Sequence, residues 1–180
     1  MTLEFRRADP VQDRNPLLRF NMEYLEWLEA QISARFATSL TALLERPIPD
    51  YVDATLDKLC ASVPPEGVFY LVSHDELPVG MGGLRRVGDG VGEVKRIYAS
   101  PAVRGRGIGS AIMSRLIKDA RAFGFDEIVL DTGPFMTSAH RLYEAAGFVD
   151  IPPYPNAEVP EALHYDWRFM RLGLGPAIQA

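Results

Sequence analysis

"VRGRGIGS" (103–110) sets glycines at 105, 107 and 109, with arginines at 104 and 106 and Ser110 at its end. Each glycine gives up side-chain packing and backbone restraint, so three at alternate positions need a reason. After them, Ile108, Ile112, Leu116, Ala120 and Phe123 mark one face of a helix ending at Gly124, a natural C′ residue. Before them runs a predicted strand, "VGEVKRIYAS" (91–100). The glycines therefore sit at a strand-to-helix junction, where unpaired amides and the positive end of the helix dipole suit an anion. Glycine lets the backbone approach a phosphate with no Cβ in the way, and Arg104 and Arg106 add charge at the rim. A tight turn is the bland use of such a stretch; the alternation between arginines favours phosphate binding.

Two familiar phosphate loops do not fit. No Lys follows the glycines, as a Walker A loop requires, and Ser110 stands where a dinucleotide fingerprint needs its third glycine. The strand before the loop also follows a hairpin and does not open a βαβ unit.

Outward from the loop, "DEIVLDT" (126–132) is a short apolar run suited to a buried parallel strand. "TSAHRLYEAAG" (137–147) reads as a short helix with Thr137 or Ser138 as N-cap. "FVDI" (148–151) and "LHYDWRFMRLGL" (163–174) supply final strands across a Pro-rich loop at 152–160. Toward the N-terminus, "LEFRRA" (3–8) is a strand, followed by a helix from Asp9-Pro10 to about Phe36. A second helix starts near Asp50 and stops before Pro64. "GVFYLVS" (67–73) and "LPVGMGGLRR" (77–86) form strands joined at His74-Asp75-Glu76, and "GDG" (88–90) turns into the strand at 91–100. Antiparallel strands followed by a strand–helix–strand unit give an α/β (α+β) fold: a mixed sheet with helices on both faces.

Composition sets outer bounds. The 180 residues suit a single domain (1–180), 47% apolar and 24% charged, with a net charge of −5 that argues against a nucleic-acid surface. Cys60 is the one thiol, which excludes an internal disulfide framework and a multi-cysteine zinc site; with three scattered histidines, no metal is expected. No apolar run approaches the ~20 residues of a membrane span, and the first residues lack a secretory h-region. The expectation is a cytoplasmic protein that meets neither membrane nor nucleic acid.

Arg104-Gly105-Arg106-Gly107-Ile108-Gly109 resembles the Arg/Gln-x-x-Gly-x-Gly/Ala signature of the GNAT N-acetyltransferase superfamily. "KRIYASPAVRG" is similar to that family's fourth strand and the approach to its loop, and "AHRLYEAAGF" (139–148) to its late helix. The resemblance implies a mostly antiparallel sheet with a V-shaped splay between the fourth and fifth strands, and a cofactor-binding core over about 91–150. It further implies acetyl-CoA as co-substrate, held at its pyrophosphate by the amides from Gly105 to Ser110, and an amine acceptor that attacks directly in a ternary complex. Backbone groups of Ile97, Tyr98 and Ala99 would pair with the pantetheine arm like an added strand. Many members carry Asn seven residues before the Leu-Tyr tyrosine; here Met136 holds that place, and Thr137 or Ser138 would substitute.

Tyr143 aligns with a tyrosine that serves the family as general acid; the alternative is a packed core ring. Glu93 stands where members place a carboxylate that draws the amine proton through water, and a surface strand-end Glu is the equal alternative. His140 would line the site or face solvent. By strand alternation, Lys95 and Arg96 point to opposite faces, so one at most serves a given pocket. Tyr24, Trp27 and Tyr51 would line an acceptor wall, though such aromatic stripes are ordinarily core. The acceptor is a small-molecule or peptide amine, and strand edges near the C-terminus would suit a homodimer. A non-catalytic acyl-CoA sensor and, more remotely, a nucleotide-binding protein are the competing readings.

Overall fold

The computed structural model describes residues 2–155 and 157–175. Seven strands form one sheet: β1 (Glu4–Arg7), β2 (Gly67–His74), β3 (Leu77–Gly88), β4 (Val91–Ala99), β5 (Glu127–Thr132), β6 (Val149–Ile151) and β7 (Arg168–Gly173), in spatial order β1-β2-β3-β4-β5-β7-β6. All neighbours are antiparallel except β4 and β5. Helices α1 (Arg14–Arg35), α2 (Leu40–Leu44) and α3 (Ile48–Cys60) precede the main hairpins, while α4 (Ile108–Ala122) and α5 (Thr137–Ala145) flank β5.

The two faces of the sheet have separate cores. Ile108, Ile112, Met113, Leu116 and Ala120 of α4 pack with Val68, Tyr70 and Val72 of β2 and with Tyr143 and Phe148. The opposite face seats Leu17 and Phe20 of α1 and Leu56 and Cys60 of α3 against Phe69, Leu71, Met81 and Tyr98. Alternation along β4 divides its residues: Tyr98 faces α1, whereas Ile97 and Ala99 face α4. Gly82 permits this closeness, since a Cβ there would lie 2.6 Å from the Ile112 side chain.

Several boundaries differ from the expectations. Helix α1 begins at Arg14 because Asp9 and Pro10 form a preceding turn, in which the Asp9 carboxylate accepts from the Val11 and Gln12 amides. Ser39 caps the five-residue α2, too short to show a period, and α3 starts at Ile48 behind Pro47 with no side-chain cap. Helix α5 is entered from Met136, so Thr137 and Ser138 are its first residues and neither caps it.

Candidate active site

Strands β4 and β5 pair at only three positions, Val91–Glu127, Gly92–Ile128 and Glu93–Val129. Beyond these the strands separate: β4 continues to Ala99 against β3 alone, and β5 continues to Thr132 against β7 alone. Among the described residues, the edge of β4 from Val94 to Ala99 thus has no strand partner on its β5 side, and the V-shaped opening is lined by residues of both strands.

A bulge on β4 reshapes this edge. Met81 pairs with Tyr98 but Gly83 with Lys95, so β4 has one residue more than β3 between these pairs, and Arg96 takes φ +55°. The bulge breaks side-chain alternation. Lys95 and Arg96 therefore do not diverge as the sequence suggested: Lys95 Nζ and Arg96 Nη2 each reach Glu158, from the Pro-rich loop, at 3.2 Å. Arg96 also donates to Asn21 Oδ1 at 3.4 Å and to the Tyr51 hydroxyl at 3.5 Å. Its guanidinium centre lies 5.6 Å from the Tyr24 ring centroid, within range of a cation–π contact.

Three carboxyl groups meet here. Burial alone would raise Glu158, but Arg96 and Lys95 outweigh it and hold the group down to about 2. Glu93 is 1% exposed, which excludes the surface reading; it accepts from Arg85 Nε at 2.6 Å and from the Tyr154 hydroxyl at 3.0 Å. Asp131 accepts from Trp167 Nε1 at 2.9 Å and lies 3.4 Å from the same Tyr154 hydroxyl. Burial, reinforced by Glu93 and Glu158 against the Trp167 hydrogen bond, pushes Asp131 up to about 6. Asp131 is thus poised to exchange a proton near neutrality. In sequence Asp131 is one residue of an apolar strand, and nothing in "DEIVLDT" shows what the fold brings beside it.

Tyr143 is buried, and its ring packs at 6.0 Å from that of Phe148. Its hydroxyl makes no hydrogen bond among the described residues, yet it is not a sealed, unsatisfied atom. Burial, then Tyr24 and Asp131, raise its pKa, so the phenol keeps its proton. Tyr24 is likewise raised, to about 12, mainly by burial. Tyr24 and Tyr51 line the clefts around Arg96, whereas Trp27 packs edge-on against Phe135.

The glycine loop enters α4 from the far end of β4. Gly105 and Gly107 have φ +76° and +77°, and a Cβ on either would meet nothing within 4 Å, so that side of the loop is open. Gly107 caps α4 without a side chain, and Ala111 donates back to the Gly107 carbonyl at 3.0 Å. The amides of Ile108, Gly109 and Ser110 precede that first helical bond and suit an anion. Arg104 and Arg106 are exposed at the rim, with Arg104 Nε 3.4 Å from the Ala99 carbonyl. Ser138 is exposed on α5, where its hydroxyl accepts from Arg141 at 3.4 Å. His140 is held inward by a 2.9 Å hydrogen bond to the Gly133 carbonyl, and burial lowers its pKa.

A mixed sheet that splits between its two parallel strands, with an open glycine loop at the next helix, is the fold of the GNAT family. The model of the acetyltransferase (GNAT) family matches residues 25–148, and the chain belongs to that family. A GNAT-family acetyltransferase from Staphylococcus aureus Mu50 superimposes with a TM-score of 0.71 at 19% identity, covering 96% of this chain and 99% of that one. The PaiA N-acetyltransferase of Thermoplasma acidophilum, solved with coenzyme A, gives 0.66 at 16% identity, covering 96% and 99%. In sequence, an IAA acetyltransferase from Azospirillum brasilense is 38% identical over 65 residues, 36% of this chain and 42% of that protein. The matched regions span 42%, 63% and 29% of the lengths of three curated relatives. Among the described residues, no helix is long and apolar enough to cross a membrane.

Proposed function

We propose that this chain is an acetyl-CoA-dependent N-acetyltransferase, in which an amine attacks the acetyl group directly in a ternary complex. The observation that carries the reading is the opening between β4 and β5, with an unpaired β4 edge on one side and Asp131, raised to about 6, in the cleft beside it. When bound, acetyl-CoA supplies an activated acetyl carbon. The amides from Gly105 to Ser110 would hold its phosphates, with Arg104 and Arg106 at the rim. Backbone groups of Ile97, Tyr98 and Ala99 would receive the pantetheine arm as an added strand. Exposed Ser138 is the proposed further contact in place of the Asn absent at Met136.

The amine must arrive neutral, and the departing thiolate needs a proton. Tyr143 is the proposed acid, since its phenol remains protonated. The proposed base is Glu93, working with Asp131 through the Tyr154 hydroxyl between them; Asp131 is the member that changes charge near neutrality. Arg85 holds Glu93 in place. A buried lone thiol, Cys60, fits a reducing cytoplasm and takes no part, its pKa pushed up to about 11 mainly by burial. The test is release of free coenzyme A on addition of amines, repeated with Tyr143→Phe. Amine-dependent release that falls at least about tenfold in the variant supports the reading. Tight binding of coenzyme A without transfer to any amine would instead make the chain an acyl-CoA sensor.

A further inference from the structure

A cavity of about 470 Å³ lies under α3, against β2, β3 and β4. One wall is apolar, formed by Val52, Leu56, Phe69 and Leu84. The others carry the cations Lys58, Arg85, Lys95 and Arg96, against Glu158 as the one lining carboxylate. Glu93 neutralises Arg85 from outside the lining, so a positive surplus remains in a chain whose net charge is −5. Lys95, Arg96 and Glu158 also line the small cleft at the strand opening, together with Glu93 and Asp131. The cavity therefore adjoins the place where an amine would lose its proton.

The spacing of the cations is informative. Glu158 places one oxygen 3.2 Å from Lys95 Nζ and the other 3.2 Å from Arg96 Nη2. The pair thus holds both oxygens of a single carboxylate through charge-assisted contacts, and a carboxylate is the group the site already accepts. Glu158 comes from the loop at the cavity's edge, and its side chain is 35% exposed against 12% for Lys95 and 9% for Arg96, so of the three groups the carboxylate is the one open to exchange.

Building on the acetyltransferase reading, we propose that the acceptor is a free amino acid whose carboxylate takes Glu158's place between Lys95 and Arg96. Its apolar body lies against Leu56 and Phe69, and its amine faces Glu93 and Asp131. Glu158 is then an internal stand-in whose side chain the substrate displaces, while Tyr154 and Val159 of the same loop keep their places. An amine lacking the carboxylate leaves the clamp with Glu158 and gains nothing from it.

Calorimetric titration of the full chain with each standard L-amino acid tests this without needing transfer. At least one should bind, and its methyl ester and decarboxylated amine should bind at least about tenfold more weakly, as loss of a charge-assisted pair implies. Glu158→Gln should tighten that amino acid several-fold, and Lys95→Met, checked for a native melt, should abolish the difference between acid and ester. No amino acid binding, ester and acid binding alike, or weaker binding in Glu158→Gln would overturn the proposal. Amine-dependent release of coenzyme A persisting in that case leaves the acetyltransferase reading intact. Amino acid binding with no transfer overturns that reading and not the carboxylate site.

Discussion

Glu93 and Val129 are the last residues joined between β4 and β5. The pairing stops where the catalytic chemistry is proposed to start: Glu93 is the final paired residue of β4, and Asp131 comes two residues after Val129. Continued pairing would close the opening and cover the β4 edge. The bulge at Arg96 adds to the effect by turning two neighbouring cations toward one carboxylate.

The loop's shape makes a prediction about backbone. Gly107→Val places a β-branched residue at φ +77°, where L side chains are strained by roughly 1–2 kcal/mol. It also sets methyl groups on the open side that the phosphates would use. Coenzyme A affinity of the folded variant should drop at least about tenfold by calorimetry. Unchanged affinity would reduce the loop to a turn.

Charge should matter less than shape. Arg104 and Arg106 are exposed, so their contacts are screened, and Arg104→Ala and Arg106→Ala should each weaken binding less than Gly107→Val. An arginine variant that loses more would transfer the phosphates to side chains.

The Glu93–Arg85 pair predicts a stability cost. Arg85→Met leaves a carboxylate that is 1% exposed without its cation, a change that typically costs about 3–5 kcal/mol. The double variant Arg85→Met/Glu93→Gln should recover much of the loss in denaturant melts. An Arg85→Met protein as stable as the parent would mean that Glu93 is not held by the pair.

Asp131 sets the pH behaviour. Its folded pKa, about 6, lies above its ordinary value of 3.8, so between these pH values the folded state binds more protons than the unfolded one. Stability linked to this group is therefore full below about 4 and lost as pH rises through about 6. Asp131→Asn should raise the melting temperature at pH 8 relative to the parent and bring no such gain at pH 4. It should also remove an ascending limb of kcat/KM centred near 6, if the carboxylate form is needed. An unaltered pH profile in the variant would release Asp131 from proton transfer.

The fold was largely legible because its signals are local. The apolar face from Ile108 to Ala120, the continuous apolar run from Val68 to Val72 and the glycines of the loop each act within a few residues. Of the proposed site, Tyr143 and Glu93 are legible only through a resemblance to a family, not through any local physical signal; for the loop, local signals give an anion site and the resemblance gives coenzyme A. Lys95 and Arg96 were misread because a bulge depends on how β4 registers against β3, and neither strand shows it alone. Tyr154 and Glu158 reach the site from a Pro-rich loop some sixty residues beyond Glu93 and Arg96 in sequence, so no spacing rule connects them. Asp131 looks like any strand residue until burial beside two carboxylates raises its pKa.

Tyr143→Phe keeps the ring that packs against Phe148 and removes only the proton. General-acid help is typically worth ~10²–10⁴-fold, and the low end applies because a thiolate already leaves fairly well. With an accepting amine in hand, kcat should fall at least about tenfold while acetyl-CoA affinity and melting temperature stay near those of the parent. A parental kcat would leave Tyr143 as packing.

The most direct measurement is release of free coenzyme A from acetyl-CoA across a panel of amines and amino acids, against a control without amine. At least one acceptor should raise release well above the control, with the acetylated amine detected in equal amount. Release no faster than the control for every acceptor, from a protein that binds coenzyme A, would contradict it.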